Sequence, residues 1–103
     1  MSKNESVTVQ VRLSANEWEV IRYESRDDIP YAVRMLADRF GHGDLTPIAT
    51  PRYLWGRRQR MVTATVSRRQ RQWLMRAGEG KGVGVGLRGL IAAWKEEIAC
   101  PSK

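Results

Sequence analysis

Val7-Thr8-Val9-Gln10-Val11-Arg12-Leu13-Ser14 alternates without a break. Val7, Val9, Val11 and Leu13 fall on one face of an extended chain; Thr8, Gln10 and Arg12 fall on the other. A period of two marks a half-buried strand with one apolar and one hydrogen-bonding face. Ser14 then supplies an N-cap oxygen, with Glu17 three residues on, the spacing of a capping box. The strand is therefore expected over about residues 7–13, running straight into a helix. A lone strand leaves both edges unpaired and needs a partner.

The partner is expected further along the chain. Arg60-Met61-Val62-Thr63-Ala64-Thr65-Val66-Ser67 repeats the pattern, with Val62, Ala64 and Val66 on one side and Met61, Thr63 and Thr65 on the other. Val9, Val11, Leu13 and Ser14 map onto Val62, Ala64, Val66 and Ser67 at an offset of 53. Ile29, Val33, Leu36 and Phe40 map onto Val83, Leu87, Leu90 and Trp94 at an offset of 54, which Arg34 and Arg88 share. The chain thus reads as an internal repeat, strand-helix-helix twice. Residues 1–40 form the first copy, 41–59 a basic linker with Pro47 and Pro51, and 60–103 the second copy and tail.

In the first copy a helix is expected from Ser14 to about Ser25, with Trp18, Val20 and Ile21 as its apolar stripe. A turn at Arg26-Asp27-Asp28 follows, then a helix over Ile29–Phe40, capped by Asp28, with Pro30 in its first turn and Gly41 stopping it. In the second copy helices are expected over Arg68–Ala77 and Val83–Glu97. Gly84, Gly86 and Gly89 weaken the last helix by up to about 1 kcal/mol each. They are expected to let it approach its counterpart in the first copy. The linker, extended, spans up to roughly 65 Å, ample to bring the second strand back antiparallel to the first. Each copy, at roughly 40–45 residues, is too small to bury a core alone, so the two are expected to form one intertwined unit.

The 103 residues carry 18 basic and 11 acidic side chains, net +7. Residues 1–40 hold 6 basic and 7 acidic side chains, whereas residues 41–71 hold 7 basic and 1 acidic. That block points to a polyanion, nucleic acid ahead of an anionic membrane, with a merely solvated basic face as the plain alternative. No apolar run is long enough to span a membrane, and Met1-Ser2-Lys3-Asn4-Glu5 does not resemble a signal peptide. Cys100 is the single cysteine, which fits a reducing, cytoplasmic setting. One histidine (His42) and one cysteine cannot form a His/Cys metal cage. Gly78 to Gly89 lacks the Gly-Lys-Ser/Thr ending of a phosphate loop. Neither a metal nor a cofactor nor an enzymatic activity is expected.

Strand, capped helix, turn and second helix, with polar alternate strand residues and a basic balance, resemble the ribbon-helix-helix family of DNA-binding proteins, to which Arc- and MetJ-type repressors belong. The resemblance covers both copies and implies a mainly α fold with a two-stranded antiparallel ribbon, here as a pseudo-dimer within one chain. In that family the ribbon lies in the major groove of double-stranded DNA and its outward side chains read bases. The outward positions here are Thr8, Gln10, Arg12, Met61, Thr63 and Thr65. Arg suits guanine O6/N7, Gln suits adenine N6/N7, and Thr suits a hydrogen bond or a thymine methyl.

The resemblance also implies a phosphate clamp at the start of each second helix. Lys81, Gly82 and Val83 suit an anion; Asp27, Asp28 and Pro30 do not. Arg57, Arg58, Arg68 and Arg69 are further candidates for phosphate. The implied function is a transcriptional regulator, a repressor first. A protein-binding inhibitor, antitoxin-like or anti-activator-like, on the same fold is the alternative. Tyr53 and Trp55 would serve a protein partner, and self-association on adjacent DNA sites stays open.

If the two strands pair within one chain, dilution should not unfold the protein. The thermal midpoint is expected to stay constant over a hundredfold range of protein concentration. A midpoint that climbs steeply with concentration would show that the ribbon forms between chains.

Overall fold

The computed structural model describes residues 5–50 and 58–99, which fall into six elements. They are β1 (Ser6–Ser14), α1 (Ala15–Glu24), α2 (Ile29–Gly41), β2 (Gln59–Ser67), α3 (Arg68–Ala77) and α4 (Val83–Ala99). Each strand passes into a helix without a loop, because a serine ends the strand and caps the helix together. The Ser14 hydroxyl accepts from the Glu17 amide at 3.1 Å, and the Glu17 carboxylate accepts from the Ser14 amide at 2.8 Å. Ser67 and Gln70 build the same reciprocal pair at 3.0 and 2.9 Å. These boxes satisfy amides that the first helical turn leaves without a partner.

The strands pair antiparallel from Ser6 opposite Ser67 to Ser14 opposite Gln59, forming a two-stranded sheet. Val9, Val11 and Leu13 on one strand and Val62, Ala64 and Val66 on the other are buried. A two-stranded ribbon is marginal by itself. Here its apolar face joins one continuous core with Ile21 of α1, Val33 and Leu36 of α2, Leu74 of α3, and Leu87, Leu90 and Ile91 of α4. Among the described residues the result is an α/β fold with four helices and one antiparallel pair of strands. None of those helices is long and apolar enough to cross a membrane.

The turn between α1 and α2 places Arg26 and Asp27 at φ of 55° and 70°. Asp28 caps α2 by accepting from the Tyr31 amide at 3.2 Å, and Pro30 occupies the first turn, as the sequence predicts. At its far end α2 is tied to α4 through Arg39. That guanidinium meets both Glu97 oxygens at 2.7 and 2.8 Å and Asp44 Oδ2 at 2.8 Å. Its hydrogen bonds hold the Glu97 carboxyl below the usual carboxylate range.

Two expectations about glycine change. Gly41 is the last residue of α2 and is followed by the cap His42 at φ −93°; the left-handed residue that ends the helix is Gly43, at φ 75°, whose amide donates to the Phe40 carbonyl at 3.0 Å while the Asp44 amide donates to the Arg39 carbonyl at 2.8 Å. The glycine is required instead by packing, because a Cβ at position 41 would run into the Trp73 indole. The glycines of α4 likewise do not serve an approach to α2. A Cβ on Gly86 would collide with the Leu74 carbonyl at the end of α3. One on Gly89 would meet Pro47 Cβ at 3.0 Å, and one on Gly84 would meet Val11 Cγ1 at 3.5 Å.

Gly89 also accepts, through its carbonyl, from the Ile48 amide at 3.0 Å. The first part of the expected linker is therefore packed, and Leu45 within it belongs to the core. Tyr53, Trp55 and Arg57, together with Cys100, lie outside the described residues.

Leu36 and Leu90 are both fully buried at equivalent places in α2 and α4. Changing either to Ala is expected to cost about 2–5 kcal/mol, from lost transfer energy plus the cavity left behind. Chemical denaturation measures this directly; a loss below about 0.5 kcal/mol at both would contradict the placement of the core.

Candidate nucleic-acid interface

All six outward positions of the strands are brought together on one face. Thr8 pairs with Thr65, Gln10 with Thr63, and Arg12 with Met61. Every one of the six is exposed, while their neighbours in sequence between them are buried. The alternation that defines each strand therefore yields a single surface three cross-strand pairs long. It carries one guanidinium, one carboxamide, three hydroxyls and a thioether. Met61 is 51% exposed, a large apolar side chain left in solvent beside Arg12.

The basic residues around this face differ in what they touch. Arg58 is exposed, and its carbonyl accepts from the Ala15 amide at 3.1 Å, which continues the strand pairing to the start of α1. Arg60 stands opposite Leu13 in the register, on the core side, yet it is exposed. Its guanidinium lies over the Trp18 ring, 4.5 Å from the centroid, and Arg22 approaches the same ring at 5.2 Å. The negative face of the indole attracts each guanidinium. Sequence reading placed Trp18 in an apolar stripe and missed this role as a platform for cations.

Arg68, at the start of α3, is engaged by Glu5 at 2.6 Å, an exposed pair of small energetic weight. Arg69 approaches the Trp73 ring at 5.9 Å and is exposed, as is Arg71. His42, the single histidine, meets the edge of the Trp73 ring at 5.6 Å. Among the described residues no cluster of His, Cys, Asp or Glu has the makings of a metal site.

The two helix starts that face an anion differently in sequence also differ in structure. At α2 the Asp28 carboxylate already occupies the Tyr31 amide, and Pro30 has no amide to give. At α4 the capping position falls to Gly82, at φ 142°, which has no side chain to fold back. No acidic residue lies in the first turn of α4, and Lys81 stands exposed just before it, 4.0 Å from Glu79. Glu79 and Gly80 also have positive φ, at 56° and 79°. This turn ends α3 and aims the start of α4 at β1, where Gly84 lies against Val11.

One buried ion pair fixes this end of the ribbon. Arg88 of α4, 7% exposed, places its Nε 3.0 Å from both oxygens of Glu17 on α1. Glu17 is the same carboxylate that closes the Ser14 capping box. Strand end, helix start and α4 therefore share one group. In the second half Gln70 holds the corresponding place. It donates to Asp38 Oδ1 at 3.0 Å, while Arg34 donates to the Thr65 carbonyl at 3.1 Å. The shared offset of Arg34 and Arg88 was visible in sequence; their different partners were not.

Comparison with protein-family models, with curated proteins and with solved structures finds no match.

Removing Arg88 should leave the Glu17 carboxylate desolvated and poorly compensated. Arg88→Met is expected to cost about 3–5 kcal/mol in denaturant unfolding. The double change Glu17→Gln with Arg88→Met should recover most of that loss, because glutamine closes a capping box as Gln70 does. A double variant as unstable as the single one would show that Arg88 acts through packing alone.

Proposed function

We propose that this chain is a sequence-specific binder of double-stranded DNA, a transcriptional regulator that represses by occupying its operator. On this reading it is a ribbon-helix-helix protein whose two copies lie in one chain and pair as a pseudo-dimer. The observation that carries the reading is the register. Gln10 stands opposite Thr63, which is its own counterpart at the offset of 53. Thr8 and Arg12 lie to either side of that centre, as do Met61 and Thr65. A ribbon centred on equivalent residues is what two copies related by a twofold axis require.

Size and chemistry support the same reading. A major groove about 12 Å wide admits a two-stranded ribbon. The four residue steps of strand from Thr8 to Arg12 rise about 13 Å. At roughly 3.4 Å per base step they cover about four base pairs. Arg12 offers a bidentate fork for guanine, Gln10 for adenine, and the three threonines and Met61 suit hydrogen bonds or thymine methyl groups. Arg57, Arg58, Arg68, Arg69 and Lys81, with the backbone amides of Gly82 and Val83, serve the phosphates.

Binding-site selection from random duplexes, at two salt concentrations, tests this on wild type, Arg12→Ala and Arg69→Ala. Loss of Arg12 is expected to relax choice at one defined base pair, worth about 1–3 kcal/mol. Loss of Arg69 is expected to weaken all sequences alike and lower the salt slope by about one. If selection enriches no sequence, or enriches the same one without Arg12, Thr8 and Gln10, the ribbon is not the reading surface and a protein partner becomes the better reading.

A further inference from the structure

We infer that the two ends of the ribbon are chemically unequal, so that the chain binds a directional site in one orientation, anchored at the Arg12–Met61 end. This rests on the proposed DNA reading. Antiparallel pairing sets the end of β1 beside the start of β2. Arg58 and Arg60, far in sequence from Arg12, therefore gather with it at one end of the ribbon, Arg12 on the outer face and Arg60 on the core side, and all three are exposed. The first turn of α4 also lies at this end, against Val11, with Gly82 in the capping position and Lys81 exposed before it. Of the carboxylates at this end, Glu17 is turned inward onto Arg88 and the Ser14 amide, and Glu79 lies 4.0 Å from Lys81.

The Thr8–Thr65 end is built from other groups. Thr65 stands where a symmetric partner would present a second Arg12, and Met61 stands where it would present a second Thr8. Glu5 engages Arg68. The helix that reaches this end, through Arg34 and the Thr65 carbonyl, is α2, whose start is closed by Asp28 and Pro30. Arg69 and Arg71 are exposed here and attract phosphate, but among the described residues no cation stands on the base-reading face at this end. Attraction therefore acts at both ends, whereas discrimination by a cation acts at one. The target is a short duplex with a guanine–cytosine pair at one end and no inverted repeat, the strongest phosphate contacts flanking the guanine.

The test moves the arginine. Binding-site selection and phosphate-ethylation interference are run on wild type, on Arg12→Thr, and on the exchange Arg12→Thr with Thr65→Arg. In wild type the motif should be asymmetric, with the strongest interference beside the guanine. Arg12→Thr alone should weaken binding to that site by about 5- to 150-fold, the equivalent of 1–3 kcal/mol. The exchange should restore a guanine preference at the opposite end of the motif, now separated from the strongest phosphate interference. A palindromic wild-type motif, or a guanine that stays in place after the exchange, would overturn the inference while leaving DNA reading intact. Absence of any enriched motif in wild type would overturn both.

Discussion

The pairing of β1 with β2 is the constraint on which the rest of the molecule depends. Each strand offers a row of backbone donors and acceptors that only another strand can satisfy in a regular ladder. The two are separated in sequence by two helices and a long connection, so no tight turn sets their register. The register is instead held from its ends. A serine capping box closes each strand into its helix, and the Ala15 amide adds one more bond to the Arg58 carbonyl. A slip of β1 by one residue would turn Val9 and Val11 into water and bring Gln10 into the core. The same pairing thus fixes which side chains form the core and which form the outer face.

From that pairing the helices follow. The apolar side of the ribbon is too narrow to be stable alone, and α2 and α4 cover it with Val33, Leu36, Leu87 and Leu90. Close approach is obtained where side chains are absent, at Gly86 against the end of α3 and at Gly41 beneath Trp73. The two halves are held differently. One uses the buried pair of Glu17 and Arg88; the other uses the neutral carboxamide of Gln70 against Asp38. A buried ion pair is a weak source of net stability but leaves a costly charge if broken. It therefore ties α1, α4 and the end of β1 to one arrangement more than it strengthens the fold. On the proposed reading this is also the end that anchors DNA.

Much of the architecture was legible along the chain. Strand limits, both serine caps, the Asp28 cap and the starts of all four helices follow from local rules of periodicity and capping, which act within a few residues. What was not legible depends on contacts between distant segments. Leu45 sits among Gly, Pro and polar residues with no periodicity to announce it, yet it is buried. Gly41 has the position of a helix-ending glycine and serves a tryptophan from another helix. Trp18 packs against the core, as its spacing predicts, and also carries two cations on its ring. In each case the residue type permits more than one physical role, and its spatial neighbours decide which it fills.

The candidate interface divides along the same line. The period of two within each strand determined, without any structure, that Thr8, Gln10 and Arg12 share a face, and that Met61, Thr63 and Thr65 share another. It did so because alternation is a property of the extended backbone itself. The order in which those triplets face each other is not such a property. Tertiary structure alone placed Gln10 opposite Thr63, Arg12 beside Met61, and Arg58 and Arg60 at the same end. It also decided that Glu17 turns inward onto Arg88 and that Arg34 reaches the Thr65 carbonyl, because the partner of a charged side chain is set by which element packs against it.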